Sequence, residues 1–95
     1  MKASAKIVVV MPNQPLTASP KFLTRIAESN QATISDGVYI VRTHQGVEEL
    51  SDELSAEFYD RATVLVCDLR LPCMAHGNHP VVSRAMELVN ESNEP

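Results

Sequence analysis

Apolar residues along this chain recur with two periods, and the switches between them mark the elements. Ile7-Val8-Val9-Val10 is continuously apolar and β-branched, which predicts a strand over 5–11, central in a sheet and covered on both faces. Pro12 and Pro15 end it, because neither can donate to a ladder. Phe22, Leu23, Ile26 and Ala27 then recur at helical spacing and predict a helix over 20–29, with Lys21, Thr24, Arg25 and Glu28 on its wet face. Two β-prone runs, 32–35 and 38–43, flank Asp36-Gly37 and predict a hairpin closed by a type I′ turn. A second helix follows over 47–59. Gly46 caps it, Glu48 and Glu49 suit its positive end, and Val47, Leu50, Leu54 and Phe58 form its apolar stripe. Ala62 to Leu69 reads as a second buried strand, and residues 70–78 read as an irregular loop. Pro80 opens a third helix with Val81, Val82, Ala85, Leu88 and Val89 on one face, and the polar residues from Asn90 onward read as a fraying tail.

The predicted order is β-α-β-β-α-β-α in one domain spanning 1–95. It implies an α+β fold: a two-layer, open-faced sandwich with a mainly antiparallel four-stranded sheet and helices on one face. The ferredoxin-like split βαβ fold and the open-faced sandwich of phosphocarrier proteins share this order. They place the first strand beside different neighbours, so strand order separates them.

Composition narrows the function classes. Hydrophobic content of 44% with 21% charged residues is that of a soluble globular domain. No apolar run approaches the roughly 20 residues of a membrane span. The basic N-terminus is followed by too short an apolar run for a secretory signal, so a cytoplasmic setting is expected. Net charge is −4 and the eight basic residues are scattered, so nucleic acid is not an expected partner. Acidic residues do cluster, and Glu48, Glu49, Asp52 and Glu53 read either as a solvated helix face or as a surface for a basic protein.

The loop 11–20 offers the clearest chemical lead. Ser19 is placed to cap the first helix and Pro20 to occupy its first position, a good helix start without any ligand. Free backbone N–H groups at such a start also attract anions, so Thr17, Ala18 and Ser19, with Lys21 and Arg25 nearby, form a candidate anion- or partner-binding site. At Leu16-Thr-Ala-Ser-Pro20 the chain resembles the histidine-containing phosphocarrier proteins (HPr) of the sugar phosphotransferase system, which carry Gly-Leu-His-Ala-Arg-Pro-Ala after the first strand. Leu16, Ala18 and Pro20 match that motif. Thr17 stands where the family's phosphorylated histidine falls, and Ser19 where its arginine falls. The resemblance therefore implies a degenerate module that has lost carrier chemistry and acts by binding another protein.

Other constellations carry less. Cys73, His76 and His79 are ligand types that zinc accepts, at loop-compatible spacing, but they match no four-ligand framework. Cys67 reads as a small core residue, Tyr39 and Tyr59 as packing residues, and Asp68 and His44 as turn or surface residues. The stretch 37–43, the acidic helix and Thr63-Val-Leu-Val also look like the second half of small ferredoxin-fold proteins near the CRISPR-associated endoribonucleases. Met11, Pro12 and Asn13 replace the acidic residue that those proteins carry after the first strand. That resemblance implies a small dimer built through sheet edges, which could contact RNA. The combined expectation is a monomeric or homodimeric protein-binding module with no catalytic residue and no cofactor.

Overall fold

A computed structural model describes residues 3–15, 19–72, 74–77 and 79–92. Its four strands are β1 (Ser4–Pro12), β2 (Gln31–Ser35), β3 (Val38–Thr43) and β4 (Ala62–Asp68), and its two α-helices are α1 (Val47–Phe58) and α2 (Pro80–Ser92). The sheet order is β2-β3-β1-β4, and every neighbouring pair is antiparallel. β1 and β2 therefore run parallel with β3 inserted between them, and β3 and β4 run parallel with β1 between them. Two interleaved split βαβ units are the ferredoxin-like arrangement, one of the two that the element order allowed.

Side-chain alternation divides the core between the two faces of the sheet. Val8 and Val10 of β1, Tyr39 and Val41 of β3 and the half-buried Val64 and Val66 of β4 face one side, where Leu50, Leu54 and Phe58 of α1 cover them. Phe22 joins this layer, fully buried, with its ring edge-on to Tyr39 at 5.8 Å between centroids. This is the two-layer sandwich expected from the element order. The final helix departs from it: Ala85 and Leu88 of α2 pack with Ala32 and Ile40, which point to the reverse face. α2 lies against β2, β3 and β1. A helix is about 10 Å wide and strands are spaced about 4.8 Å apart, so one helix covers about two strands. Among the described residues, the β4 side of the reverse face is left with Leu65 and Cys67 exposed.

Three local expectations change. Residues 20–29 do not form an α-helix. They make two 3₁₀ turns, Lys21–Arg25 and Glu28–Asn30, with extended backbone at Ile26. The Gln31 side chain donates to the Leu23 and Ile26 carbonyls at 3.1 and 2.7 Å, which satisfies acceptors that a continuing helix would have used. Pro20 is the cap residue rather than the first helical one, and no side chain caps the turn. The Asp36-Gly37 hairpin forms, but of these two residues only Gly37 has positive φ, so the turn is not type I′. A register shift between Thr33 and Ser35 absorbs the difference. Finally, α2 continues to Ser92, which makes the first part of the predicted tail helical.

Gly37 is fixed by two constraints. Its φ is +81°, and a methyl group built on it would lie 2.3 Å from the Val10 carbonyl oxygen. Its own carbonyl accepts the Val10 N–H at 2.7 Å, tying the hairpin to the end of β1. Gly37→Ala is expected to lower the unfolding free energy by about 1–3 kcal/mol. Urea denaturation measures this, and an unchanged midpoint would contradict the close approach.

Candidate functional site

The start of the first 3₁₀ turn already has an acidic partner. The Lys21 backbone N–H, which the sequence offers to an anion, lies 3.0 Å from both carboxylate oxygens of Glu57 on α1. Arg25 is bonded to the Glu53 carboxylate and, more weakly at 3.4 Å, to Gln45. Glu53 also accepts from the Gln45 amide at 3.1 Å. Acidic residues of α1 thus clamp the 3₁₀ segment from within the chain. Ser19 is exposed beside this start, and Thr17 and Ala18 lie outside the described residues.

A cleft of about 590 Å³ opens beside the same loop, between β2, β3 and the first 3₁₀ turn. Its lining includes Ser19, Gln31, Thr33, Tyr39 and, as the one ionisable carboxyl group among the described residues, Asp36. Burial pushes the Tyr39 phenol above its ordinary value, a hydrogen bond with the Gly37 backbone opposes this, and the Asp36 charge adds to it. No cation lines the cleft among the described residues, and the Asp36 carboxylate would oppose a phosphate there.

The acidic candidates separate into two groups. Glu48, Glu49 and Asp52 are exposed on the outer side of α1, the first two in its opening turn. Glu53 is half-buried against Arg25. Among the described residues no group of three or more His, Cys, Asp or Glu is placed to hold a metal ion. His79 caps α2, its Nδ1 accepting the Val81 N–H at 3.2 Å. His76 is exposed, and Cys73 lies outside the described residues.

The feature that sequence reasoning missed is β4. Cys67, expected in the core, is exposed, and Leu65 is 51% exposed on the same side. Register places Cys67 beside Ile7, Leu65 beside Val9 and Thr63 beside Met11, which is also 51% exposed. Met11, Leu65 and Cys67 thus form an exposed apolar strip on the reverse face, beside the part that α2 covers. Tyr59, expected to pack, is 82% exposed, because its positive φ turns the chain outward at the end of α1.

Among the described residues β4 is also a bare edge of the sheet. The Asn13 N–H donates to the Arg61 carbonyl at 2.8 Å, and the Leu69 N–H donates to the Ala5 carbonyl at 3.0 Å. Odd-numbered residues therefore carry the ladder to β1, and alternation turns the backbone groups of Ala62, Val64 and Val66 outward. Native edges are usually protected by lysine, proline, a bulge or a covering side chain. The opposite edge, β2, has such protection: it is short, it carries the register shift, and Arg84 donates to the Gln31 and Glu28 carbonyls there. β4 runs for seven residues in unbroken register with β1 and contains neither lysine nor proline.

The C-terminal end of β4 is pinned by charge. Lys6, only 3% exposed, places its ammonium 2.9 Å from Asp68 and 2.6 Å from the Ser4 hydroxyl. The Lys6 hydrogen bond holds the Asp68 carboxyl below its ordinary value, partial burial opposes this, and the Lys6 and Arg70 charges assist it. An ammonium that would be costly to bury alone thus reaches the half-exposed carboxylate at the sheet edge.

No protein-family model, curated protein or solved structure matches the chain.

Glu57 at the 3₁₀ start makes a direct prediction. Glu57→Ala is expected to cost about 1 kcal/mol in urea denaturation, while millimolar phosphate leaves the Lys21 amide of the wild-type chain unmoved in an NMR titration. An unchanged stability together with a phosphate-dependent Lys21 shift would contradict the clamp.

Proposed function

We propose that this protein is a binding module that engages another polypeptide through β4, by strand addition to its outward edge. The observation that carries this reading is the unprotected seven-residue edge, bordered by the exposed apolar strip of Met11, Leu65 and Cys67. Main-chain donors and acceptors at Ala62, Val64 and Val66 supply affinity for an extended segment, and the apolar strip supplies side-chain contacts. The ferredoxin-like strand order supports a module of this type, because it leaves β4 at a border of the sheet. The proposed contact residues, Met11, Ala62, Val64, Leu65, Val66 and Cys67, include none of the phosphocarrier-like stretch 16–20.

No observation favours RNA as the partner. Lys6 is buried on Asp68, Arg25 is bonded to Glu53, and Arg84 is committed to backbone carbonyls. The exposed acidic residues on α1 would repel phosphates.

A photo-crosslinking amino acid at position 65, introduced into the chain in its native cells, tests the reading. The expected result is a discrete covalent adduct with a polypeptide, either this chain or another, and no comparable adduct from position 48 on the outer side of α1. Absence of any discrete adduct at position 65 would contradict the proposal.

A further inference from the structure

We propose that the polypeptide added to β4 is a second copy of this chain, paired antiparallel about a twofold axis at Leu65; this rests on the reading of β4 as a docking edge. Register and charge single out this arrangement. A twofold axis perpendicular to the sheet pairs β4 with itself so that both sheets continue with like faces on the same side. The sum of the paired residue numbers is then constant and even. Only a few such registers keep most of the strand paired.

With the axis at Val64, Asp60 of each copy falls opposite Asp68 of the other, a like-charge contact at both ends. With the axis at Val66, the Asp68 carboxylate falls opposite Val64 and Arg70 falls opposite Ala62, so neither charge meets a partner across the join. With the axis at Leu65, Asp60 falls opposite Arg70 at both ends, and Val64 falls opposite Val66. The ladder to β1 already extends to Arg61 and Leu69, which puts positions 60 and 70 immediately outside it. Opposite charges across a strand pair stabilise it and like charges oppose it. The charges flanking β4 therefore select one register.

Backbone direction agrees with this register. The outward groups are those of even-numbered residues, so Val64 and Val66 of opposite copies exchange both N–H···O bonds, and Ala62 and Asp68 do the same. Leu65 points its own N–H and carbonyl toward β1. It becomes a non-hydrogen-bonded pair with Leu65 of the second copy, the closer of the two pair types. The exposed leucine is thereby set against its own image, and a row from Val9 through both copies of Leu65 to the second Val9 runs across the axis. The product is an eight-stranded antiparallel sheet whose outer borders are the two protected β2 edges.

Three measurements test this. Sedimentation equilibrium on the full chain is expected to give twice the chain mass at high concentration and dissociation on dilution. In a chain also carrying Cys67→Ser and Cys73→Ser, Leu65→Cys is expected to form an intermolecular disulfide under mild oxidation, because a non-hydrogen-bonded pair has Cα atoms about 4.5 Å apart. Thr63→Cys in the same background is expected not to, since four residues of offset separate its two copies by about 13 Å. Val66→Pro removes an outward N–H without breaking a bond to β1, so it is expected to keep the far-UV circular dichroism of the folded chain and weaken self-association at least about tenfold. Should that variant fail to fold, the two cysteine variants decide the matter.

A monomer at every concentration, with no Leu65→Cys dimer, would overturn the second copy as occupant. A position-65 photo-adduct with a different protein would then leave the docking edge standing. A dimer crosslinked by Thr63→Cys and not by Leu65→Cys would overturn the register.

Discussion

The constraint on which this structure depends is the cover available for a sheet that is apolar on both faces. β1 is central and carries Val8 and Val10 to one side, Ile7 and Val9 to the other. One side receives α1 and the 3₁₀ segment with Phe22, and its core closes over the strands. The reverse side receives a single helix, which covers β2, β3 and part of β1. What one helix leaves uncovered is β4 and the end of β1, and the exposed Leu65, Cys67 and Met11 follow from that shortage. The exposed apolar strip is thus a consequence of the layer count rather than of any one residue.

The charges follow the same geometry. Glu53 and Glu57 face inward from α1 and hold the 3₁₀ segment over the covered side through Arg25 and the Lys21 N–H. Lys6 stretches to Asp68 at the end of β4 and anchors the edge strand to β1. Acidic residues that read in the sequence as one patch therefore have two roles. Some brace the fold, and Glu48, Glu49 and Asp52 remain in solvent.

Elements whose pattern is decided locally were legible in the sequence. The leucine stripe and the Gly46 cap define α1, the β-branched run defines β1, and Asp36-Gly37 places the hairpin. The first helix was not legible, because its apolar spacing suits either an α-helix or 3₁₀ turns, and the choice is made by the distant Gln31 side chain and the Glu57 carboxylate. Exposure of β4 was not legible for a related reason. Alternating apolar residues on both faces describe a buried strand unless one knows where α2 docks. The clue available was arithmetic: few helical segments for two faces of a four-stranded sheet. The anion site suggested by Ser19 and Pro20 could not reveal that its backbone N–H meets a carboxylate from α1.

Hydrogen exchange at the β4 amides reads the central claim at the atoms concerned. In an isolated chain the N–H groups of Val64 and Val66 face solvent, while those of Leu65 and Cys67 bond β1. The account predicts that Val64 and Val66 are protected at high protein concentration and lose that protection on dilution, while Leu65 and Cys67 stay protected throughout. Fast exchange of Val64 and Val66 that is independent of concentration would contradict it.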